Sequence, residues 1–561
     1  MAALQAAAYL LVLLPLPFGF NRFEGFTLIK YQLITASNAF AAPALLLLVV
    51  LVLRSRVYVL AHHLVQLFVL LSVAMYARYF DALPHINLLR QIGALPAVGR
   101  HVLVQLVGWR EVATVALLVV SCVLASLLVG RVRGRRRPRR LVAALVAILL
   151  LIAVKDFVLD TRLPIWKYRY DGIYFLKRYG FVPILSLQLA GELRARPHDV
   201  RWPGEISADN CREVTFPPTR PNVIFLQVES LDPWVIDHQV GGTAVMPFLC
   251  EWRTRSLAFV NFFAQHRGGG SADAELSCLT GLLPLTSHTG FLTADFSRVI
   301  SLPEILDTLG TYTCAMHANA GSYFYRRPAF RRLGFDDFFD RASYTGAAAG
   351  WGSKDRAFFE QSLAILDRSP RPFFAYLITM QSHGPFDNHG QPSGTFLPSQ
   401  DEDALTRDYL LTMHEVDDAL ATFLGGLARR GELSNTLVFI FADHASGVTP
   451  RARAGATLRP GDHDRVPLFV TGPGVAPGVS TKVGSHLDLG PTLLHLIGAP
   501  PIAYSMGRSL LDPGVGRVFL SSGGAVIILR NAGRDSPELV VERDLSPWAP
   551  FLDFSESVLH P

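Results

Sequence analysis

The strongest constraint on this chain is the uneven distribution of its apolar residues. Half of the 561 residues are hydrophobic and 17% are charged, and the apolar excess lies before about residue 160. A helix needs about 20 mostly apolar residues to cross a bilayer. Five segments approach that length: residues 5–20, 39–54, 57–76, 112–130 and 141–158. We therefore predict a five-helix transmembrane domain over residues 1–160.

Short basic loops predict the orientation of these helices. Arg54 and Arg56 separate the second and third segments, and the seven arginines of residues 131–140 separate the fourth and fifth. Positive residues concentrate on the cytoplasmic side of membrane proteins. We therefore expect a multi-pass protein of the cell (inner) membrane, with its N-terminus inside and everything after about residue 160 extracytoplasmic or periplasmic. The position of the basic run also argues against nucleic-acid binding, despite the pI of about 9.1.

The rest of the chain divides by composition into three further parts. Residues 161–215 mix aromatic with basic side chains, which is typical of a juxtamembrane amphipathic linker, although a solvated linker helix fits equally well. Residues 216–515 have the composition of a globular domain. Residues 516–561 form a C-terminal segment, with short strands expected at 517–521 and 525–530.

The cysteines carry no recognisable metal or redox motif, because no pair has C-x-x-C spacing. Four of them lie in the part that we place outside, where disulfides can form: Cys211, Cys250, Cys278 and Cys314. The sequence does not choose among their pairings, and all four free is an equally open outcome.

From residue 222 onward, short β-branched and aromatic runs alternate with helical stretches, which predicts an α/β domain with a mostly parallel central sheet. Four predicted strands end in side chains that bind metals or carry protons. Val223–Val228 is followed by Glu229, and Thr436–Ala442 by Asp443 and His444. The other two lead to His317 with Asn319, and to His383. Ligands of open α/β sheets bind beyond the carboxyl ends of the strands.

A glycine-rich segment supplies a candidate nucleophile. Ser271 follows Arg267-Gly-Gly-Gly270 and precedes a stretch to Leu282 that reads as a helix. Serine is a favoured N-cap, which is the plain structural interpretation. A helix N-terminus also attracts phosphate, and a divalent ion can activate a hydroxyl for attack. Glu229, Asp443 and His444 together suit Mn²⁺ or Zn²⁺.

These motifs resemble the lipoteichoic acid synthase group of sulfatase-like phosphoglycerol transferases, within the alkaline phosphatase superfamily. The resemblance covers the helical anchor, the linker and the domain to about residue 515. It is carried by Asn222-Val-Ile-Phe-Leu-Gln-Val-Glu-Ser230, the Ser271 segment, His317-Ala-Asn-Ala-Gly-Ser-Tyr-Phe-Tyr-Arg326, Ser382-His-Gly-Pro-Phe386 and Ala442-Asp-His444.

The resemblance implies one divalent ion, Mn²⁺ before Zn²⁺ or Mg²⁺, on Glu229, Asp443, His444 and the Ser271 oxygen. It implies that Arg326 and His383 contact the glycerol phosphate, with Phe324 near the glycerol, and that His317 and Asn319 belong to the substrate site. The reaction implied moves glycerol phosphate from a phosphatidylglycerol-type lipid, through a covalent Ser271 intermediate, to a cell-envelope glycan or glycolipid.

The sequence departs from the group in three places. Ser271 stands where the group usually has threonine, and Phe324 where it usually has tryptophan. Residues 451–463 follow no assignable pattern. These departures bear on the substrate more than on the reaction type.

Three other functions compete with this interpretation. A phosphoethanolamine transferase would share the anchor and fold but use another headgroup. A sulfatase would need a C/S-x-P-x-R motif, and Ser271-Ala-Asp-Ala-Glu275 lacks its proline and arginine. A non-enzymatic membrane protein with a degenerate domain is disfavoured because all four predicted ligands are present.

Overall fold

The computed structural model describes residues 1–13, 41–80, 107–134, 138–159, 176, 201–202, 220–285, 289–345, 353–390, 396–399, 401–448, 461–522, 525–533, 536–542 and 544–559. Most of the predicted linker, Cys211 and most of the unassigned segment 451–463 lie outside these residues. Cys122, Cys250, Cys278 and Cys314 are free.

The described residues of the N-terminal part form five helices: α1 (Ala2–Leu13), α2 (Ala41–Leu48, continued by a π-helical turn Val49–Leu53), α3 (Arg56–Phe80), α4 (Trp109–Val132) and α5 (Arg139–Leu159). Each overlaps one predicted apolar segment, although the end of the first segment lies outside the described residues. Residues Arg56–Met75 of α3 and the whole of α4 are long and apolar enough to cross a membrane. The count of five spans stays a prediction.

The second part of the chain contains a sheet of eight described strands: β1 (Asn222–Val228), β2 (Leu257–Phe259), β3 (Tyr312–His317), β4 (Asp337–Phe339), β5 (Phe373–Ile378), β6 (Thr436–Ala442), β7 (Leu468–Thr471) and β8 (Gly478–Ser480). Their order is β8-β2-β7-β6-β1-β5-β3-β4. Strand β7 runs antiparallel to both neighbours, and the other described pairs are parallel. The sheet is therefore mixed, with the parallel region that the sequence predicts at its centre.

Helices cover this sheet because its central strands are apolar on both faces. Strands β1, β5 and β6 are buried along their whole lengths, as expected for parallel strands between two helical layers. The helices are a single turn at Pro233–Ile236, α6 (Pro247–Thr254), α7 (Ser271–Thr280), α8 (Leu302–Thr308), α9 (Arg326–Arg332), α10 (Asp355–Arg368), α11 (Ala404–Arg429), α12 (Leu489–Ile497) and α13 (Ala549–Leu559).

The C-terminal segment contains more than the short strands that its sequence predicts. Strands β9 (Arg517–Ser522), β10 (Ala525–Asn531) and β11 (Leu539–Glu542) form an antiparallel sheet. Helix α13 follows, and Phe554, Val558 and Leu559 enter the same core as the central sheet. Its carbonyl groups accept hydrogen bonds from Thr293 and Arg298. The C-terminal segment thus packs as part of the α/β domain.

Candidate metal and nucleophile site

Strand register places the predicted metal ligands together. Val228 and Ala442 are partners in the parallel pair β1–β6. The next residues, Glu229 and Asp443, therefore lie side by side at the carboxyl ends of these strands. The ligand atoms of Glu229, Asp443 and His444 lie within 4.8 Å of one another. His444 Nε2 is 3.3 Å from Glu229 Oε1 and 3.5 Å from Asp443 Oδ2. Both carboxylates are buried.

The electrostatics of this cluster fit a cation. Asp443 Oδ2 is buried without a hydrogen-bond partner. Burial, followed by the charge of Glu229, raises the pKa of Asp443 to about 7. Burial alone would raise the pKa of Glu229 as well. The His383 and His444 rings outweigh burial and hold the pKa of Glu229 well below its usual range. Two buried carboxylates with an unpaired oxygen and an imidazole form a donor set suited to one divalent ion.

Ser230 holds the two carboxylates in place. Its φ of 54° is left-handed, which is uncommon for a residue with a side chain. Its N–H donates to Asp443 Oδ1 at 2.9 Å, and its Oγ donates to Glu229 Oε1 at 2.9 Å. Thr379 Oγ1 accepts the N–H of Glu229 at 3.0 Å. The strained turn therefore fixes both acids, and strain of this kind concentrates at functional sites.

Ser271 begins helix α7 and faces the carboxylate cluster. The N-cap position is Gly270, and the Ser271 hydroxyl donates to Glu229 Oε2 at 3.2 Å. The capping role considered from the sequence is therefore wrong. Gly270 has φ 59° and ψ −138°, a conformation open almost only to glycine. This glycine explains how the chain can turn directly into the helix at Ser271.

Asp273 holds the glycine-rich loop from inside the helix. Its Oδ2 accepts the N–H groups of Arg267 at 2.8 Å and Gly269 at 3.0 Å. A Cβ at Gly269 would lie 2.1 Å from Asp273 Oδ1 and 2.9 Å from Thr289 Cα. Only glycine fits this close approach, so the loop and the first turn of α7 form one unit.

A buried ion pair lies beside the nucleophile helix. Arg326 Nε is 2.9 Å from Glu275 Oε2, and Arg326 Nη2 is 2.6 Å from Glu275 Oε1. Arg326 Nη1 lies 3.4 Å from His317 Nε2. Burial, followed by the Arg326 charge, lowers the pKa of His317 to about 3, so this imidazole is neutral. His317 Nε2 therefore accepts a hydrogen bond from Arg326 Nη1.

Phe324 and His383 line the same region. The Arg326 guanidinium carbon is 5.1 Å from the centre of the Phe324 ring. Phe324 and Tyr325 have φ values of 53° and 62°, two successive left-handed residues that cost roughly 1–3 kcal/mol each. His383 Nδ1 is 2.9 Å from the Gly384 carbonyl oxygen. Burial lowers the pKa of His383, against the opposing charge of Glu229.

Asn319 is buried near the end of β3, and the described hydrogen bond of its side chain is local. Its Oδ1 accepts the N–H of Ala320 at 2.7 Å. Its Nδ2 is buried without a hydrogen-bond partner. A substrate role for Asn319 stays a prediction.

Two histidines that the sequence did not assign to the site support it. The His266 ring lies 4.5 Å from the His444 ring, centre to centre. His486 Nδ1 accepts the N–H of Gln265 at 3.0 Å, so its Nε2–H donates to the Ala442 oxygen at 2.7 Å. His486 therefore ties the loop before Ser271 to the strand before Asp443. Both histidines contact residues that are far away in the sequence, so their roles cannot be predicted from residue spacing.

Sequence and structure comparisons relate this chain to known proteins. A family model described as Sulfatase matches residues 221–499. Lipoteichoic acid synthase 2 of Bacillus subtilis (strain 168) is 30% identical over 304 residues, which are 51% of this chain and 46% of that protein. Lipoteichoic acid synthase of Staphylococcus aureus (strain USA300) is 28% identical over 324 residues, 55% of this chain and 50% of that protein.

This chain is therefore similar to lipoteichoic acid synthases over about half of its length, and its residues 221–499 match the Sulfatase family model. It spans about half the length of the curated relatives it matches. The crystal structure of the lipoteichoic acid synthase LtaP from Listeria monocytogenes aligns with a TM-score of 0.50 and 21% identity, over 62% of this chain and 96% of that one. This lipoteichoic acid synthase-like chain therefore shares the fold of that structure.

Proposed function

We propose that this lipoteichoic acid synthase-like chain is a metal-dependent phosphoglycerol transferase that uses Ser271 as its nucleophile. The observation that carries the proposal is the 3.2 Å hydrogen bond from the Ser271 hydroxyl to Glu229, inside the cluster with Asp443 and His444. Hydrolysis of a sulfate ester is disfavoured because the required C/S-x-P-x-R motif is absent.

Glu229, Asp443, His444 and the Ser271 oxygen would hold one divalent ion, with Mn²⁺ expected first from the family resemblance. The unpaired Asp443 Oδ2 supports this assignment. When bound, the ion supplies a Lewis acid that lowers the pKa of a coordinated hydroxyl. Zn²⁺ and Mg²⁺ are the alternatives that a metal analysis must separate.

The first step that we propose is attack of Ser271 Oγ on the phosphorus of a phosphatidylglycerol-type lipid. The bond from phosphorus to the diacylglycerol oxygen breaks, and the proton from Ser271 passes to that oxygen through His383. Arg326 donates hydrogen bonds to the phosphoryl oxygens, and the N-terminus of α7 adds its positive dipole end. The products are diacylglycerol and glycerophosphoryl-Ser271.

In the second step, a hydroxyl of the acceptor attacks the same phosphorus, and the bond to Ser271 Oγ breaks. The acceptor proton returns to Ser271 through His383. The hydrogen bond from His383 Nδ1–H to the Gly384 carbonyl oxygen orients the ring, and we assign the shuttle to its Nε2. We propose a cell-envelope glycan or glycolipid as acceptor, with Phe324 against the glycerol, Arg326 and His317 at the phosphate, and Asn319 nearby.

We also propose that the N-terminal helices hold the chain in the cell (inner) membrane, with the α/β domain extracytoplasmic. In these helices apolar side chains are exposed and polar side chains are buried, which is the reverse of the pattern in a soluble protein. Leu60, Phe68 and Val119 are each at least half exposed. Gln5 and Gln66, in contrast, are buried and hydrogen-bonded to each other at 2.6 Å. Apolar exteriors with polar contacts between helices are typical of membrane bundles.

Two substitutions and two labelled lipids test this function. Ser271→Ala should abolish turnover, and Ser271→Thr should keep a measurable part because it retains a hydroxyl. Mass spectrometry of wild-type protein quenched with headgroup-labelled phosphatidylglycerol should show a glycerophosphoryl adduct on the Ser271 peptide. Folded Ser271→Ala with wild-type activity would refute the nucleophile. Label transfer from phosphatidylethanolamine instead would identify a phosphoethanolamine transferase, and label in water-soluble glycerol phosphate alone a hydrolase.

A further inference from the structure

Glu275 is the one acidic side chain of helix α7 that faces Arg326. It lies four residues after Ser271, so both point to the same side of the helix, one turn apart. Its carboxylate accepts hydrogen bonds from Nε and Nη2 of Arg326 in a bidentate pair. The helix that carries the nucleophile therefore also fixes the arginine, and a single turn sets their separation.

The pair is fully enclosed, with 2% of the Arg326 side chain and none of the Glu275 side chain exposed. The opposite charges of Arg326 and Glu275 largely cancel in their effect on a ligand in the cleft. Little solvent is present to screen either charge. Arg326 then offers directed hydrogen bonds but no net positive charge. His317, whose Nε2 lies 3.4 Å from Arg326 Nη1, is an acceptor at this position and does not restore the charge.

We infer that Glu275 sets the charge of the phosphate subsite, so that the site selects a phosphodiester monoanion over a phosphomonoester dianion. The inference rests on the proposed function and deepens it. In the proposed cluster, one divalent ion balances the charges of Glu229 and Asp443. With Arg326 already balanced by Glu275, these groups are neutral in sum, so each charge on the ligand is unbalanced and a dianion is disfavoured more than a monoanion.

Fold stability alone gives a weaker reason for this pair. Replacing a buried ion pair with apolar residues is often neutral or stabilising, so an isolated Arg–Glu pair is not needed to hold a core together. A bidentate partner does, however, fix the plane of a guanidinium. Glu275 is thus a positioning residue for Arg326 as well as the source of the balancing charge.

The test compares two ester substrates on full-length protein in detergent, loaded with Mn²⁺ at pH 8. The probes are bis(4-nitrophenyl) phosphate, a diester, and 4-nitrophenyl phosphate, a monoester that is mostly a dianion at this pH. Wild type should favour the diester in kcat/KM. Glu275→Gln should shift the diester-to-monoester ratio toward the monoester by at least about tenfold, because one buried negative charge is removed.

Two variants separate charge from position. Glu275→Asp keeps the charge but shortens the reach to Arg326, so turnover should fall while the substrate ratio stays as in wild type. Glu360→Gln, which removes an exposed carboxylate of α10, should change neither. Binding provides a readout without turnover. In a Ser271→Ala background, Glu275→Gln should tighten calorimetric binding of sn-glycerol 1-phosphate relative to that of its methyl diester.

Folded Glu275→Gln with the wild-type ratio would overturn the inference. If that variant does not fold, loss of the diester preference in Glu275→Asp would overturn it equally. The outcome is separable from that of the proposed function. A chain that transfers no label from phosphatidylglycerol but shows the predicted shift in ratio keeps Glu275 as the charge-setting residue and refutes only the lipid donor.

Discussion

The imidazole of His444 governs how tightly the cluster binds a cation at a given pH. Burial opposes its charge, but Asp443 and Glu229 raise its pKa to about 10 when no ion is bound. An ion must displace that proton, because imidazole coordinates only in its neutral form. We expect the affinity for Mn²⁺ to rise with pH between 6.5 and 8.5, by up to about tenfold per unit for one displaced proton.

Chelator competition at three pH values measures this dependence, and calorimetry in buffers of different ionisation enthalpy counts the proton. Asp443→Ala is the control, since it should remove the ion at every pH without unfolding the domain. Affinity that does not change with pH would contradict the assignment of His444.

In the ion-free protein, the free energy of unfolding should instead fall as pH rises. The raised pKa of His444 adds stability below about pH 6.5, and that contribution is lost as pH rises toward 10.

The sequence predicts the ligands at residue scale, but not the groups that hold them. Glu229, Asp443 and His444 directly follow runs of apolar residues. Such runs predict where buried strands end without any knowledge of the rest of the fold. Ser230 and Glu275 also stand in quoted motifs, yet their roles depend on partners across the fold. Ser230 binds Asp443, which is 213 positions away, and Glu275 binds Arg326, 51 positions away. No spacing rule reports such contacts.

Among the elements, the loop before α7 is the one that sets the position of the nucleophile. Gly269 has no room for a side chain because Asp273 and Thr289 lie against it. We expect Gly269→Ala to displace the loop and to lower turnover by about a hundredfold, the effect typical of a misplaced reacting group. Overpacking should also reduce the free energy of unfolding by about 1–3 kcal/mol.

Gly514→Ala is the matched control, since a Cβ there meets no atom within 4 Å. Steady-state turnover and chemical denaturation of both variants separate catalysis from stability. Equal activity in the two alanine variants would show that the loop does not position Ser271.

Elements with strong periodicity were predictable, and those that depend on long-range packing were not. The fully buried strands β1 and β6 appear within one residue of their predicted bounds. Strand β7 runs antiparallel to its neighbours, a direction that no local pattern encodes. Helix α13 was missed in a segment expected to contain only strands. Phe554, Val558 and Leu559 are buried in the main core, which is distant in sequence, although Phe551 and Leu552 pack against the cluster of the C-terminal strands.

At the scale of the whole molecule, the open question is how the N-terminal helices cross the membrane. Helix α4 has 24 residues, about 36 Å at 1.5 Å per residue, which exceeds a hydrocarbon core of about 30 Å. Arg131 and Arg133 lie at its C-terminal end, and Arg139 begins α5. These charges should stay in the cytoplasm, so α4 and α5 should run in opposite directions.

Reporter fusions give the measurement that decides this topology. A fusion after residue 135, between α4 and α5, should report the cytoplasm, and a fusion after residue 200 should report the outside. A third fusion after residue 54, in the other short basic loop, is the control and should agree with residue 135. The reaction depends on this result, because a lipid donor and an envelope acceptor both require the α/β domain outside. If residues 135 and 200 report the same side, α5 does not cross the membrane. The span count is then wrong, and the proposed donor and acceptor lose their access to Ser271.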